Sequence, residues 1–404
     1  MRWLVAVAIL VRVVAAVMLI LGPWVDQPSE LEGWDVARFQ AIADLDGRPW
    51  VDEPVEYPPG SVFLIELLGR SSVVATHRVL VAASLLVDLG LAALLGALAG
   101  RRAAAAYLLL GLPLVPMGLL RFDLWAAALA AVAAIALRQR RPGSFAVIAT
   151  VAALVKAWPV LLLAPAVALG RVRTVGVTLS VMAAAGLGWM AYAGFSIEPV
   201  RQVVTLRGAT GWHVESIGGI ATALTSDQPV EQQLDAFRIG SVPAVVRIAF
   251  PAVTLGVTAV LAALGWRARQ RLGADDLIAI VMLGTVSALL VPSTLLSPQF
   301  LLWLTPWAAV LAGTPETRSS ADALTPRHRL VLVGLTAAAI VLTGVTLAVF
   351  GPPRLAETLP AALLAGRTAL LGAVIVAVGT ILWRVGANAL AVDVPSGRAE
   401  GALG

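Results

Sequence analysis

The chain has 404 residues, 59% of them hydrophobic and 13% charged, with a formal net charge of +5 and a mean hydropathy of +0.89. Soluble domains carry about 25% charged residues, so this composition excludes a soluble globular fold and points to an all-α polytopic membrane protein. With no cysteine and three histidines, disulfides and thiolate chemistry are excluded and little room is left for a histidine-rich metal site; the arginines cluster at the ends of apolar runs rather than in an exposed basic domain, which excludes a nucleic-acid partner.

A spanning helix takes about 20 apolar residues. Apolar runs fall at about 3–23, 75–99, 103–120, 123–137, 143–157, 158–170, 174–194, 243–264, 275–293, 298–313, 330–350 and 361–383, which predicts about 11–12 transmembrane segments. No small-x-small cleavage site follows the first run, so it is read as a retained helix. Residues 24–74 then form an acidic loop, with Asp26, Glu30, Glu32, Asp35, Asp44, Asp46, Asp52, Glu53 and Glu56. Within it, Trp34, Phe39, Ile42 and Ala43 recur at roughly helical spacing, which predicts a short amphipathic helix at the membrane interface. Asp35 sits in its first turn, where the helix dipole favours an ionised carboxylate. There it either caps the helix or acts as a general base on a hydroxyl. Arg38 follows on the same helix. The prolines of Glu56-Tyr57-Pro58-Pro59-Gly60 force an extended return to the membrane over 61–69 and leave Glu56 and Tyr57 to face a site.

Arg121-Phe122-Asp123 lies on a short turn. Its charges either pair with one another or leave Arg121 for an anion. The stretch 143–170 is too short for two full spans and reads as a hairpin broken at Trp158-Pro159, a break tolerated only inside protein or beside a cavity. The only lysine of the chain, Lys156, lies at that break. An ionisable side chain in a membrane segment costs roughly 2.5 to 3.5 kcal/mol on insertion scales. Lys156 is therefore a candidate ligand for an anionic group, with snorkelling to the interface as the alternative.

The second long loop, about 195–242, concentrates Arg207, Trp212, His213, Glu215 and Ser216. Arg207 and His213 are candidate phosphate ligands. Trp212 offers a stacking face to a sugar or an isoprenyl chain, and Glu215 or Ser216 suits the cap of a helix over 217–225. Ser297-Pro298 fits the N-cap and first position of another helix, which leaves Gln299 polar near the membrane surface. Arg12 and Asp88 are intramembrane charges that either are structural or line a cavity. The segment 386–404, rich in Gly, Ala and charge, predicts a disordered tail. The basic clusters Arg101-Arg102, Arg138/Arg140/Arg141, Arg171/Arg173, Arg267/Arg269/Arg271 and Arg318 with Arg327/Arg329 all fall on one side if the N-terminus is cytoplasmic. Arg384 puts the C-terminus there too, an N-in/C-in arrangement by the positive-inside rule. Both long loops then face the exterior.

Taken in order over about residues 1–313, six motifs resemble glycosyltransferase family 87, membrane enzymes of the GT-C class. They are Trp34-Asp35-Val36-Ala37-Arg38-Phe39, Glu56-Tyr57-Pro58-Pro59-Gly60, Arg121-Phe122-Asp123, Lys156-Ala157-Trp158-Pro159, Trp212-His213-Val214-Glu215-Ser216 and Ser297-Pro298-Gln299-Phe300-Leu301-Leu302-Trp303. The resemblance implies a GT-C-like module over 1–313, a C-terminal transmembrane pair over 314–385 that carries no recognised motif, and the cytoplasmic tail. It implies inverting transfer of a sugar, typically mannose, from a polyprenyl-phosphate donor to a glycolipid or glycan acceptor at the outer face of the plasma membrane, with no metal or other cofactor. Asp35 is then the base. Lys156, Arg207, His213 and Arg121 hold the donor phosphate, and Arg38, Glu56, Tyr57, Trp212, Glu215 and Gln299 contact acceptor or sugar. Many relatives place a tyrosine near the position of Phe39, so acceptor specificity does not carry over. A secondary transporter and a catalytically inactive lipid-binding relative are the alternatives. The long outer loops and the lack of an internal repeat weigh against the transporter.

Overall fold

A computed structural model describes residues 2–22, 33–205, 208–234, 236–313, 324–351 and 354–392. Arg207, the acidic residues Asp26, Glu30 and Glu32, Arg318 and the tail from 393 onward lie outside the described residues, as do the side chains of Trp34 and of 388–392. The protein is 77% helical and is an all-α polytopic membrane protein.

Among the described residues, seventeen α-helices follow one another along the chain. The first group is α1 (Arg2–Leu21), α2 (Gly33–Ala43), α3 (Pro59–Leu68), α4 (Val73–Ala99), α5 (Arg101–Leu110), α6 (Val115–Leu119) and α7 (Asp123–Arg138). The second is α8 (Pro142–Val155), α9 (Leu163–Ala168), α10 (Val172–Tyr192), α11 (Glu198–Thr205) and α12 (Ile217–Thr225). The last is α13 (Ala244–Ala268), α14 (Ala274–Leu290), α15 (Thr305–Gly313), α16 (Pro326–Phe350) and α17 (Thr358–Val392). Among the described residues, six helices (α1, α4, α10, α13, α16 and α17) are long and apolar enough to cross a membrane. A seventh span is possible by length and composition if α5 and the turn into α6, bent by 44°, count as one. This is fewer than the 11–12 segments expected from hydropathy. The other apolar runs fold as shorter helices, many of them buried by neighbours, and burial in protein raises hydropathy as much as burial in lipid does. Residues 386–392, expected in the tail, continue α17.

At the centre stands α14, buried along nearly all of its 17 residues and flanked by α9, α13, α15 and α17. At 1.5 Å per residue it spans about 26 Å. Its N-terminal end is a charged layer. Arg329 forks onto Asp276 at 2.8 and 2.5 Å, Arg138 meets Asp275 at 3.2 Å, and Arg171 donates to the Arg138 carbonyl at 3.5 Å. Three of the basic clusters thus meet at one end of the bundle. Its C-terminal end runs into the segment 291–297, where the amide of His213 donates to the Thr294 carbonyl at 3.1 Å.

The intramembrane charges Arg12 and Asp88 pair at 2.6 Å, and Tyr107 donates its hydroxyl to the same carboxylate at 2.5 Å. Arg12 also donates to the Leu108 carbonyl at 2.7 Å, just before Pro113 and Pro116 bend the chain into α6. A paired, hydrogen-bonded charge is tolerated in apolar surroundings where a lone one is not. This network ties α1, α4 and α5 together and lies apart from the large cavity described below.

The second long loop holds an element that hydropathy did not reveal. Strands β1 (Trp212–His213), β2 (Val230–Gln233) and β3 (Ala236–Ile239) form an antiparallel sheet in the order β1-β3-β2. The register sets Trp212 opposite Ile239 and Val230 opposite Ile239 on the other side. Four residues is too short a run for a period-two pattern to stand out.

Candidate active site

At the end of the bundle away from the charged layer lies a cavity of about 310 Å³. Its wall is built by α2, the Glu56–Pro58 return, the α6–α7 turn, the break after α8, β1, the β2–β3 hairpin and the 3-10 turn Pro298–Trp303. Of the sequence-derived candidates, Asp35, Arg38, Glu56, Tyr57, Arg121, Lys156, His213, Glu215 and Gln299 all line it.

Helix α2 buries Val36, Phe39 and Ile42, so it packs into protein rather than lying free at an interface. Phe39 meets the ring of Tyr57 edge-on at 5.5 Å and that of Phe122 at 4.9 Å. These contacts bring Asp35 to Arg121, with Oδ2 2.5 Å from Nη2. Arg38 forks onto Glu56 at 3.2 and 3.0 Å and donates to the Pro54 carbonyl at 2.8 Å, which anchors the return loop to α2. Burial pushes the Tyr57 phenol well above its ordinary value, and the charges of Asp35 and Glu56 push the same way. Tyr57 therefore stays a neutral donor.

Helix α8 ends at Val155, and Lys156 adopts an extended backbone before the 3-10 turn Trp158–Leu162. The break frees the Val155 carbonyl, which accepts from the Ser61 hydroxyl at 2.5 Å. Gly60 approaches so closely that a Cβ there would lie 2.7 Å from the Leu154 carbonyl carbon. Lys156 Nζ lies 3.7 Å from Asp123 Oδ2 and 5.5 Å from the centre of the Tyr57 ring. Asp123 is held from behind by the indole N–H of Trp303 at 2.9 Å. Trp303 in turn stacks with Trp158 and with Phe300, with ring centres 5.1 and 4.4 Å away. Arg121 and Asp123 thus do not pair with one another. Each pairs across the cavity wall, Arg121 with Asp35 and Asp123 with Lys156.

His213 is buried, and its Nδ1 accepts from the Glu215 amide at 3.4 Å. Burial first, then the charges of Arg238, Arg367 and Arg121, push its pKa down to about 3. At neutral pH it offers a phosphate hydrogen bonds but no positive charge. Burial raises the carboxyl of Glu215 to about 7, against the pull of Arg367 and Arg121. Its partner is Arg367 at 2.8 Å, so Ser216 alone caps α12, accepting from the Gly219 amide at 3.1 Å. Trp212 lies elsewhere. It is not among the residues lining the cavity and packs with Val214, Ile220 and Leu364, against Gly218 of α12. The aromatic rings that do face the cavity include Tyr57, Phe237, Phe300 and Trp303. Ser297 precedes its turn as expected, but its hydroxyl donates to Gln299 Oε1 at 2.6 Å instead of capping.

Sequence reasoning missed Arg238 and Arg367. Arg238 lines the cavity and donates to the Gly211 carbonyl at 2.9 Å, and burial lowers its pKa to about 10. Arg367 carried the same signal as Lys156, a charge alone in an apolar run. Among the described residues no group of three or more His, Asp or Glu could hold a metal ion. Comparison with family models, with curated proteins and with solved structures found no match.

Proposed function

We propose that the protein is a membrane glycosyltransferase that moves a sugar, mannose in the first instance, from a polyprenyl-phosphate donor to a glycolipid or glycan acceptor. The observation that carries this reading is the pairing of Asp35 with Arg121 on the wall of a cavity that also contains the Lys156–Asp123 pair. The motif resemblance supports it, since residues of the Asp35, Glu56, Arg121, Lys156, His213 and Gln299 motifs line this one cavity.

In the proposed reaction, Asp35 takes the proton of an acceptor hydroxyl. The oxygen attacks the anomeric carbon from the face opposite the phosphate, and a new carbon–oxygen bond forms as the bond to phosphate breaks. The electron pair of that bond goes to the leaving polyprenyl phosphate. Arg121 and Lys156 offset its added charge, the kind of electrostatic stabilisation that dominates many such transfers. Protonation of Asp35 loosens its hold on Arg121 and frees that guanidinium for the phosphate, where a forked contact is strongest. The aromatic rings and the apolar helix faces suit the lipid tail. The positive-inside pattern supports a cytoplasmic charged layer and a cavity at the outer face.

The test is transfer by the purified full chain in lipid vesicles, supplied with radiolabelled polyprenyl-phosphate mannose and a membrane glycolipid extract. Label should pass into a new glycolipid. Absence of both transfer and saturable donor binding would contradict the reading.

A further inference from the structure

The C-terminal helix pair carries no recognised motif, yet α17 sends one charged side chain into the wall of the site. Arg367 is fully buried. Its Nη1 lies 2.8 Å from Glu215 Oε2, and its Nη2 donates to the main-chain carbonyl of the same residue. Its Nε has no partner among the described residues. Around the pair, Ala361 and Leu364 of α17 pack on Val214 and Ile220.

Stability alone is a poor explanation for this arrangement. Burying an arginine and a glutamate costs several kcal/mol per ion, and apolar residues of similar volume often serve as well or better. Geometry offers another explanation. One guanidinium grips both the carboxylate and the carbonyl of Glu215, which fixes the side chain relative to its own backbone. Oε2 is taken, whereas Oε1 has no partner among the described residues, and Glu215 lines the cavity. In its ionised form the carboxyl accepts and does not donate, so its free oxygen then selects a hydroxyl and repels a phosphate. Asp35, Arg121, Lys156 and Glu215 all line the same cavity, so Glu215 borders the space where the transferred sugar would sit.

We propose that Glu215 is a hydroxyl-recognition residue for the donor sugar and that Arg367 is its positioning residue, which makes the C-terminal helix pair part of the site. This rests on the proposed glycosyl transfer. Arg367 pulls the carboxyl towards its charged form, against the burial that raises it.

The test compares wild type, Arg367→Met and the double variant Glu215→Gln with Arg367→Met, by thermal melting and by the KM and kcat of transfer from polyprenyl-phosphate mannose. The single variant strands a buried carboxylate and should melt well below wild type. The double variant removes both charges and should recover the wild-type melting temperature. Its donor KM should nonetheless stay raised roughly tenfold to hundredfold, the usual worth of a hydrogen bond to a charged group, with a smaller change in kcat. Recovery of both melting and KM would make the pair a structural staple and overturn the proposal. A measurement on wild type alone guards against variants that do not fold. Among polyprenyl-phosphate donors lacking single mannose hydroxyls, one should show a KM raised at least about tenfold, and a flat series overturns the proposal too. If wild type transfers nothing, the functional reading fails and takes this inference with it; wild-type transfer with an unimpaired double variant removes the inference alone.

Discussion

Asp35, Lys156 and His213 illustrate three fates for an ionisable residue beside a membrane cavity. Asp35 and Lys156 each have an opposite charge within reach, at 2.5 and 3.7 Å. The Lys156 contact is the looser of the two and leaves donors for a ligand. Replacing Lys156 by Met should raise the donor KM at least about tenfold while the protein remains folded, since Asp123 keeps its bond from Trp303. Among the described residues His213 has no such partner, and burial holds it neutral. Its folded pKa of about 3 lies below the ordinary 6.5. Between these values the unfolded chain binds more protons, so His213 stabilises the fold fully above pH 6.5 and loses that contribution as pH falls towards 3. Glu215, raised from 4.5 to about 7, works with the opposite sign and contributes stability that fades as pH rises through that range. A His213→Gln variant should therefore show a flatter fall in melting temperature below pH 6.5 than wild type, and an unchanged slope would rule out a buried neutral imidazole.

At the level of elements, what the sequence made legible depended on a strong local cause. Helical spacing in 33–43 and the Pro159 break both appear as expected, because periodicity and proline act within a few residues. The partners were not legible. Which cation meets which carboxylate depends on how α2, α7 and α8 pack, and the adjacency of Arg121 and Asp123 in sequence was misleading. Trp212 looks like a stacking face because tryptophan often is one, but its ring lies against Gly218 beside a small separate apolar cluster. Arg367 lay in a run read only for its hydropathy. The return loop carries its own test. A Gly60→Val side chain would collide with the backbone at the α8 break and should cost about 1–3 kcal/mol as overpacking does. The loss would be read as a lowered melting temperature with reduced transfer, because Glu56 and Tyr57 ride on the same loop.

The whole molecule is a bundle around α14 with two unlike ends. One is a layer of arginines and aspartates, and the other opens into the cavity. The natural lack of cysteine makes its orientation directly measurable. Gln139 and Asp46 are both exposed, near the charged layer and in the first loop respectively. With single cysteines at these positions in intact cells, a membrane-impermeant thiol reagent should label Asp46→Cys and spare Gln139→Cys; the reverse pattern would turn the protein over and place the cavity inside. The central claim is that Asp35 removes a proton from the acceptor during sugar transfer. Its most direct test is donor binding and transfer by purified Asp35→Asn beside wild type. The account predicts donor binding within a few-fold of wild type and transfer reduced by about 10²–10⁴, the range a general base contributes. Transfer at the wild-type rate would remove Asp35 from the chemistry.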